Sequence, residues 1–323
     1  MGHPFDHPAL SKALERVVGA FKTKSVSVLP GAKLLFVCGG PTDPVPLTAK
    51  ERFLDWVAPG LRLSRTRRQT MRGQFLDWAA TNMPTCRTFL AEKAAQDVVS
   101  HDNPPPLRLA KFEEFLGSVA DCVIVFPESV GSFAETGYFA AKGNVRCNCL
   151  IVNSASEQKT SFLNRGPIDE IERHTKLEYK RLVLNFDATP PDFAVIKERI
   201  ENTPPKGKTG VSMHSFNELT AAKQLAFLLY LMSLFPSLDL EGMRRIIELV
   251  FGKGNYEMER VRQLLSVLVS AKYVDRLPAD NDYYYLIEPS APPLLEIAGE
   301  NPSQLLVEHS GIYSRYFPNL VRV

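Results

Sequence analysis

The segment 121–137, DCVIVFPESVGSFAETG, constrains the fold of this chain more than any other stretch. It begins with an unbroken apolar run at 122–126 that is rich in β-branched residues, as a strand buried on both faces of a parallel sheet requires. Gly131 gives the following turn backbone freedom, and 132–141 is predicted to be a helix. The segment therefore predicts a strand, a tight turn and a helix.

Glu135 is the candidate chemical residue of this segment. In open parallel sheets, ligands bind at the carboxyl ends of the strands, where the N–H groups of a helix start attract phosphate or carboxylate groups. Glu135 would lie one turn inside the helix and face that crevice. Ser132 and Glu135 also have the spacing of a capping box, which explains both residues without a substrate. A mid-helix Gly137 costs about 1 kcal/mol relative to alanine, which favours close approach of another group over capping alone.

Strand-like and helical patterns alternate through the first two thirds of the chain. The predicted strands are continuous apolar runs at 33–38, 86–90, 121–126, 148–152 and 181–185. The predicted helices are at 69–82, 107–119, 132–141 and 193–201, with a further helix that begins at a capping box, 48–51. Such alternation predicts an α/β fold, with a Rossmann-like or flavodoxin-like parallel sheet and helices on both faces.

The composition changes at 202–210, NTPPKGKTG, which has the proline, glycine and lysine content of a linker. Beyond it, three amphipathic helical stretches precede a hairpin. These elements are predicted at 216–235, 240–251, 256–272, 273–276 and 283–287. Three helices and a hairpin favour a smaller winged-helix domain. We therefore expect a first domain of residues 1–202, a linker of residues 203–213 and a winged-helix-like domain of residues 214–323.

The formal net charge of +2 conceals an asymmetry between the two parts of the chain. Residues 212–323 contain ten Lys or Arg and thirteen Asp or Glu, so this part is acidic and the first part is basic. Since phosphate neutralisation supplies most nucleic-acid affinity, the acidic balance favours docking of a protein or ribonucleoprotein over direct reading of duplex DNA.

A dense basic run lies in the first part of the chain. It consists of Arg62, Arg65, Arg67, Arg68 and Arg72, with no acidic residue among them. The run is suited to a nucleic-acid backbone or a phosphorylated substrate, and equally to a solvated helix face or loop.

Cysteine usage and hydropathy exclude several classes of protein. Five cysteines, an odd number without the spacing of a zinc site, are typical of reduced structural thiols. The longest strongly apolar run, 225–235, is too short to span a bilayer, and the N-terminus has no apolar region of a signal peptide. The sequence therefore predicts a cytoplasmic protein without a membrane segment or a metal site.

Three motifs in order resemble a known family. FVCGG (36–40), VIVFPESVGSFAETGYF (123–139) and SFLNRGPI (161–168) together resemble the effector proteins of bacterial retron anti-phage systems. Those effectors join a nucleoside 2-deoxyribosyltransferase-like domain to a C-terminal winged helix. The resemblance rests on these motifs over most of residues 33–170. For the second part of the chain it rests on the architecture only.

The resemblance implies a catalytic role for Glu135. In that superfamily the glutamate of the G-x-x-x-E-x-G turn acts at the anomeric carbon of a ribose, and Glu135 is the matching residue. Cleavage of an N-glycosidic bond passes through an oxocarbenium-like transition state, which an ionised carboxylate stabilises or traps covalently. Glu135 would be the nucleophile or electrostatic stabiliser, with water as the final acceptor.

One position departs from the family pattern. The transferases carry an aspartate six residues before the glutamate, where this chain has Ser129. A purine leaving group needs a proton donor, whereas the nicotinamide of NAD is already cationic and leaves without one. The departure favours NAD as the substrate, with no cofactor. Glu128 or Asp121 could instead replace the missing acid, although Glu128 is expected to be an exposed turn residue and Asp121 a strand-start residue.

Further substrate contacts are expected around Glu135. Gly39 and Gly40 follow the first strand, where a side chain would block the approach of a ribose or phosphate, or where the chain simply turns tightly. Asn164 would reach this site or that of a neighbouring subunit, or would lie in a surface turn. The expected contacts are Gly39, Gly40, Asp121, Ser129, Gly131, Ser132 and Asn164.

The resemblance also implies partners. An effector of this kind would be held inactive by the retron reverse transcriptase and its msDNA, a DNA–RNA hybrid, and would form a homo-oligomer or a higher assembly. Two alternatives stay open at this point. One is an N-glycosidase or deoxyribosyltransferase acting on purine nucleotides or deoxynucleotides, and the other is a nucleotide-sensing regulator whose winged helix binds DNA.

Overall fold

The computed structural model describes residues 3–42, 69–99, 108–188, 190–203, 207–278 and 283–320. Within these ranges the strands are β1 Val26–Val28, β2 Lys33–Cys38, β3 Cys86–Phe89, β4 Cys122–Val125, β5 Cys149–Ser154, β6 Leu182–Leu184, β7 Thr209–Gly210, β8 Leu238–Asp239, β9 Val274–Pro278, β10 Tyr283–Ile287 and β11 Leu295–Ile297.

The α-helices of the same residues alternate with these strands. They are α1 Pro8–Thr23, α2 Met71–Asn82, α3 Ala91–Val99, α4 Leu109–Val119, α5 Val130–Ala140, α6 Gly143–Arg146, α7 Asp169–His174, α8 Ala194–Glu201, α9 Ala221–Leu234, α10 Leu240–Phe251, α11 Met258–Ser270 and α12 Pro302–Tyr316.

The chain divides into two units. One, the sheet unit, comprises Lys33–Thr88 and Glu113–Pro204. The other, the helical unit, comprises Met1–Ala32, Phe89–Phe112 and Pro205–Val323.

The sheet unit is built on five strands in the order β3-β2-β4-β5-β6. The pairs from β2 to β6 are parallel, with Leu35 opposite Cys122 and Val123 opposite Cys149. Every residue of β4 is buried, because helices cover both faces of the sheet. The predicted α/β fold with a parallel sheet is confirmed, and it is compatible with a Rossmann-like fold.

Alternate residues of the strands contact helices on opposite faces of the sheet. On one face, Phe36 of β2 packs against Phe139 of α5. On the other, Phe126 at the end of β4 packs against Phe75 of α2, which also contacts Phe193 at the start of α8. The strands and helices predicted here begin and end within two residues of the observed bounds, and the helix predicted to start at 48–51 lies outside the described residues.

The helical unit contains two three-stranded antiparallel sheets, β11-β1-β7 and β8-β10-β9. The predicted hairpin is confirmed, since β9 and β10 pair antiparallel with Tyr285 opposite Arg276. Three helices, α9 to α11, precede it, and α10 has the predicted bounds. The winged-helix assignment stays a prediction.

Residues 1–32 and 89–112 group with the C-terminal part of the chain, whereas the sequence analysis places them in the first domain. The reason is pairing between distant segments. Strand β1 lies between β11 and β7, and α1 packs against α10 and α12. Helix α3 packs against α11. No helix among the described residues is long and apolar enough to cross a membrane.

Candidate functional site

The start of α5 is capped by two serines. Ser129 is the N-cap residue with an extended backbone, and its Oγ accepts a hydrogen bond from the N–H of Ser132 at 3.1 Å. Ser132 Oγ in turn accepts from the N–H of Ser129 at 2.9 Å. The predicted capping box of Ser132 and Glu135 is therefore wrong, because the helix begins earlier and Ser132 occupies the third helical position.

Both glycines of α5 lie in the body of the helix. Gly131 belongs to the first turn, so its predicted role as the flexible residue of a preceding turn is wrong. A Cβ added at Gly131 would have only Ser129 Oγ within 4 Å, at 3.8 Å, and one added at Gly137 would meet nothing within 4 Å. Packing of the described residues requires glycine at neither position, because there is space for a Cβ at both.

Glu135 lies in the second turn of α5 and is half-buried. The charge of its carboxylate influences the pKa of the thiol of Cys38, the last residue of β2. Burial raises the pKa of Cys38 well above its usual value, and the charges of Glu135 and Glu113 raise it further. The charge of Arg72 acts on the pKa of the same thiol in the opposite direction. Charged groups of both signs therefore influence the pKa of the thiol at the end of β2.

This position is the switch point of the sheet. From β2 the chain continues to β3 on one side, and it later returns to β4, β5 and β6 on the other side. Crevices outside the carboxyl ends of strands at such points are the usual ligand sites of open parallel sheets. The turns that follow β2 and β4 both lie here, and they carry Gly39, Gly40, Glu128 and Ser129.

Gly39 and Gly40 are packed closely against the start of α2. A Cβ at Gly39 would lie 2.8 Å from Arg72 Cβ and 3.0 Å from Glu128 Oε1. A Cβ at Gly40 would lie 2.8 Å from Thr70 Cγ2. These approaches account for glycine at both positions, and the expected contact of both residues with a substrate stays a prediction.

Glu128 is half-buried and bonded, so the expectation of an exposed turn residue is wrong. Its Oε1 accepts hydrogen bonds from the N–H groups of Gly40 and Arg72, each at 3.0 Å. Its Oε2 accepts from the N–H of Met71 at 2.8 Å. Local spacing in the sequence carries no signal of this role, because the partners are 56 to 88 residues away along the chain.

Arg72 is 6% exposed, although the sequence places it in a basic run suited to a nucleic-acid backbone or to solvent. Residue 72 lies in the first turn of α2, and its side chain packs over Gly39. The other four arginines of that run lie outside the described residues. Arg72 is therefore a buried cation beside Gly39, after the end of β2, rather than part of an exposed basic face.

A cleft of about 420 Å³ opens at the carboxyl ends of β4, β5 and β6. It is lined by Gln69, Thr70, Met71, Gln74, Pro127, Glu128, Phe133, Ser154, Ser156, Glu157, Phe186 and Asp187. Among these described residues there are three carboxylates and two phenyl rings, but no Lys, Arg or His. Such a lining favours a neutral or cationic ring over an anionic ligand. Glu135 is not among the lining residues, and Glu128 lies between this cleft and the end of β2.

Asp121 is not brought to this edge of the sheet. It precedes β4, and its Oδ2 accepts a hydrogen bond from the N–H of Leu34 at the start of β2, at 3.0 Å. The length of β4, roughly 13 Å, separates it from the turn at the other end. Asp121 is a strand-start residue, as the sequence analysis also considered.

Asn164 is buried, with 8% of its surface exposed. Its Nδ2 donates to the carbonyls of Glu157 and Lys159 at 2.7 and 2.8 Å, and its Oδ1 accepts from Asn153 at 3.0 Å. Asn164 therefore holds the loop that carries Glu157 on the rim of the cleft. Direct contact of Asn164 with a ligand stays a prediction.

No group of three or more His, Cys, Asp or Glu that could hold a metal ion occurs within the described part of the chain. The groups that the described residues bring together near the end of β2 are carboxylates, a buried arginine and backbone N–H groups.

Comparisons with known proteins place these features in a family. Two Escherichia coli proteins, of retrons Ec86 and Ec73, each bear the name "putative ribosyltransferase/DNA-binding protein". The chain is 39% identical to the first over 61 residues, 19% of this chain and 20% of that protein. It is 33% identical to the second over 92 residues, 28% of this chain and 29% of that protein, so less than a third of either relative is spanned.

A family model covers much more of the chain. The model of the STM3845 retron effector protein matches residues 68–276. This range includes the turn between β4 and α5, the residues that line the cleft and helices α9 to α11, and it amounts to more than half of the chain. The chain therefore belongs to the STM3845 retron effector family.

Proposed function

We propose that this retron effector is an N-glycosidase that cleaves the nicotinamide–ribose bond of NAD, with Glu135 as the nucleophile or electrostatic stabiliser. Both relatives are named putative ribosyltransferases, which supports chemistry at a ribose. The family supports a toxic role in a bacterial defence system.

The position of Glu135 carries the proposal. The two serines cap α5, so Glu135 is not needed to begin the helix. Its half-buried carboxylate instead raises the pKa of the thiol of Cys38, the last residue of β2, and β2 borders the switch point of the sheet. A carboxylate held at that point suits the transition state of glycosidic cleavage, where positive charge develops on the sugar.

In the proposed reaction, the bond between C1′ of the ribose and N1 of the nicotinamide ring breaks. The electron pair of that bond goes to the ring nitrogen, which becomes neutral, and nicotinamide leaves without a proton. Glu135 stabilises the resulting oxocarbenium-like ribose or forms an ester with C1′. Water then attacks C1′ and loses its proton, so that the products are ADP-ribose, nicotinamide and a proton.

Two observations support a cationic leaving group. Ser129, which stands where the related transferases carry an aspartate, has its hydroxyl in the cap of α5. The described lining of the cleft adds the carboxylates of Glu157 and Asp187, besides that of Glu128, whose oxygens are bonded to backbone N–H groups, and it contains no cationic side chain. Both features suit a pyridinium ring better than a purine that has to be protonated.

The central test is Glu135→Gln in the full chain. We expect this variant to lose at least about 100-fold in the rate of nicotinamide release from NAD, because a neutral amide cannot stabilise the developing cation as a carboxylate does. Its circular dichroism and melting temperature should match those of the native chain. Glu198→Gln, which changes an exposed glutamate of α8, is the matched control. Native rates of NAD hydrolysis in Glu135→Gln would refute the assignment.

Restraint by the retron reverse transcriptase and its msDNA, and assembly into a homo-oligomer, are part of the proposal. They rest on membership of the retron effector family. Co-expression with the two components should keep the cellular NAD level constant, and expression of the effector alone should deplete it. Equal depletion in both cultures would contradict the restraint.

Cleavage of purine nucleotides is a second candidate, but it requires a proton donor. Of the two carboxylates expected from the sequence to serve, Asp121 lies at the other end of β4, and both oxygens of Glu128 accept backbone N–H groups. Incubation with a panel of nucleotides and NAD, followed by chromatography of the products, decides between the substrates.

A DNA-binding regulator is the third candidate, since the names of both relatives include DNA-binding. In the helical unit, α11 would be the groove-reading helix of a winged helix, yet α3 packs against it. Residues 264–268 of α11 are buried without a break, so this turn of the helix presents no face to solvent. Salt-dependent binding of duplex DNA by the full chain, together with no turnover of any nucleotide, would favour this candidate.

A further inference from the structure

Glu128 joins three backbone groups that belong to two distant segments. Gly40 lies in the turn after β2, whereas Met71 and Arg72 are the first two residues of α2. All three N–H groups point at one carboxylate, with N···O distances of 2.8 to 3.0 Å. A single side chain from the turn after β4 therefore fixes the two neighbouring turns.

The bonds satisfy groups that local structure leaves without partners. The first N–H groups of an α-helix have no carbonyl within the helix to accept them, and the positive end of the helix dipole favours an anion there. Thr70 supplies part of the cap, since its Oγ1 accepts from the N–H of Gly73 at 3.2 Å. Glu128, which is 56 residues from Arg72 along the chain, accepts from the N–H groups of Met71 and Arg72.

The glycines permit the close approach of this carboxylate. A Cβ at Gly39 would lie 3.0 Å from Glu128 Oε1, and a Cβ at Gly40 would lie 3.3 Å from Glu128 Cδ. These contacts are closer than packed side chains ordinarily make. The pair of glycines after β2 and the glutamate after β4 therefore form one interlocking arrangement.

The arrangement determines where Arg72 lies. Its backbone N–H is bonded to Glu128, and its side chain packs over Gly39 while its charge acts on Cys38. Glu135 acts on the same thiol. Displacement of the start of α2 would therefore move the buried arginine relative to the carboxylate of Glu135.

We propose that Glu128 is a positioning residue of the glycosidase site, where it holds the Gly39–Gly40 turn and Arg72 in the arrangement that Glu135 requires. The inference rests on the proposed NAD hydrolysis, and it assigns to Glu128 no proton transfer. A glutamine at this position has one acceptor oxygen and would direct an NH₂ group at N–H donors. An aspartate is one methylene shorter and cannot span both segments.

The test uses Glu128→Gln in the full chain, with Glu198→Gln as the matched control. We expect kcat for NAD hydrolysis to fall about 10- to 100-fold, since small displacements of catalytic groups have effects of this size. KM should change less than about threefold, because Glu128 does not bind the substrate directly in this proposal. Amide hydrogen exchange of Gly40, Met71 and Arg72 should accelerate in Glu128→Gln and remain native in the control.

The outcomes separate this inference from the proposed function. Native kcat in Glu128→Gln, or reduced kcat with native exchange of the three amides, would overturn the positioning role. If the native chain fails to hydrolyse NAD, the proposed function is lost, and the exchange data alone decide whether Glu128 fixes the two turns. If Glu128→Gln does not fold, Glu128→Asp, which keeps the charge, should show accelerated exchange and reduced kcat, and native values for both would overturn the inference.

Discussion

Three residues that follow β4 have three different roles. Ser129 begins α5, Glu128 binds the start of α2, and the charge of Glu135 acts on the thiol of Cys38 at the end of β2. The three residues lie within seven positions of the sequence, yet their partners belong to three different elements. Substitution of each residue should therefore produce a different defect.

Two glycines of the sheet unit should respond in opposite directions to alanine. Gly39→Ala places a Cβ 2.8 Å from Arg72 Cβ, so we expect the free energy of unfolding to fall by about 1–3 kcal/mol. Gly137→Ala meets nothing within 4 Å and should raise it by about 1 kcal/mol through helix propensity. Urea denaturation of both variants measures the two changes. A destabilised Gly137→Ala would show that the space above this residue is not open.

His309 should make the helical unit sensitive to acid. The residue is 1% exposed, its Nδ1 lies 2.6 Å from the carbonyl oxygen of Leu234, and its ring stacks on Phe235. Burial lowers the pKa of His309 below its usual value. The unfolded chain therefore binds a proton at a higher pH than the folded chain does.

The sign of the effect follows directly. The stability that a neutral His309 contributes is complete above a pH of about 6.5, the pKa of an unfolded histidine, and is lost as the pH falls toward the lower pKa of the folded state. Urea midpoints measured from pH 8 to pH 5 should fall over this window in the native chain. His309→Gln, which does not titrate, should show a smaller decrease, and an equal decrease would exclude His309 as the source.

At the scale of elements, a buried ion pair fastens α3 within the helical unit. Arg276 Nη1 of β9 lies 2.6 Å from Asp97 Oδ1 of α3, and Asp97 is 5% exposed. Leu90, just before α3, adds a backbone contact, since its N–H donates to Ser270 Oγ at 3.3 Å. These contacts attach α3 to α11 and to the hairpin that follows it.

Removal of one member of this pair should be costly. Asp97→Leu leaves the charge of Arg276 partly buried without its carboxylate, and we expect a loss of about 3 kcal/mol in the free energy of unfolding. The double variant Asp97→Leu with Arg276→Met should recover most of that loss, because no buried charge then remains. A double-mutant cycle by urea denaturation gives the coupling energy. Additive losses in the cycle would indicate that the two residues do not interact.

At the scale of the whole molecule, the N-terminal segment completes the helical unit. Strand β1 is the central strand of β11-β1-β7, and Val26 pairs with Ile297. Residues 205–323 without residues 1–32 would therefore lose the middle of a sheet and the packing of α1 against α10 and α12.

This arrangement gives a prediction about fragments. A fragment of residues 205–323 should unfold without a cooperative transition, because its apolar faces lack their cover. Addition of a peptide of residues 3–32 should restore a cooperative transition and protect the amides of 295–297 from exchange. A cooperatively folded fragment of residues 214–323 would instead support the domain boundary expected from the sequence.

Elements with strong local patterns follow from the sequence alone. The β-branched run before Pro127 had to be a buried strand, and the amphipathic spacing of 240–251 had to be a helix, because both depend on residues close together in the chain. The motif G-x-x-x-E-x-G, through its resemblance to a known superfamily, also makes Glu135 the candidate catalytic residue from the sequence alone. Elements without such patterns, including α3 and the strands β1, β7 and β11, were not predicted.

Contacts between residues that are far apart in the sequence depend on the tertiary structure. The bonds from Gly40, Met71 and Arg72 to Glu128 span 56 to 88 residues, and the pairing of β1 with β11 spans almost the whole chain. Nothing in local spacing encodes these contacts, since they depend on the order of strands in the sheet and on which helix covers which face. For the same reason the basic run was misjudged at Arg72, whose burial follows from the packing of α2 over Gly39.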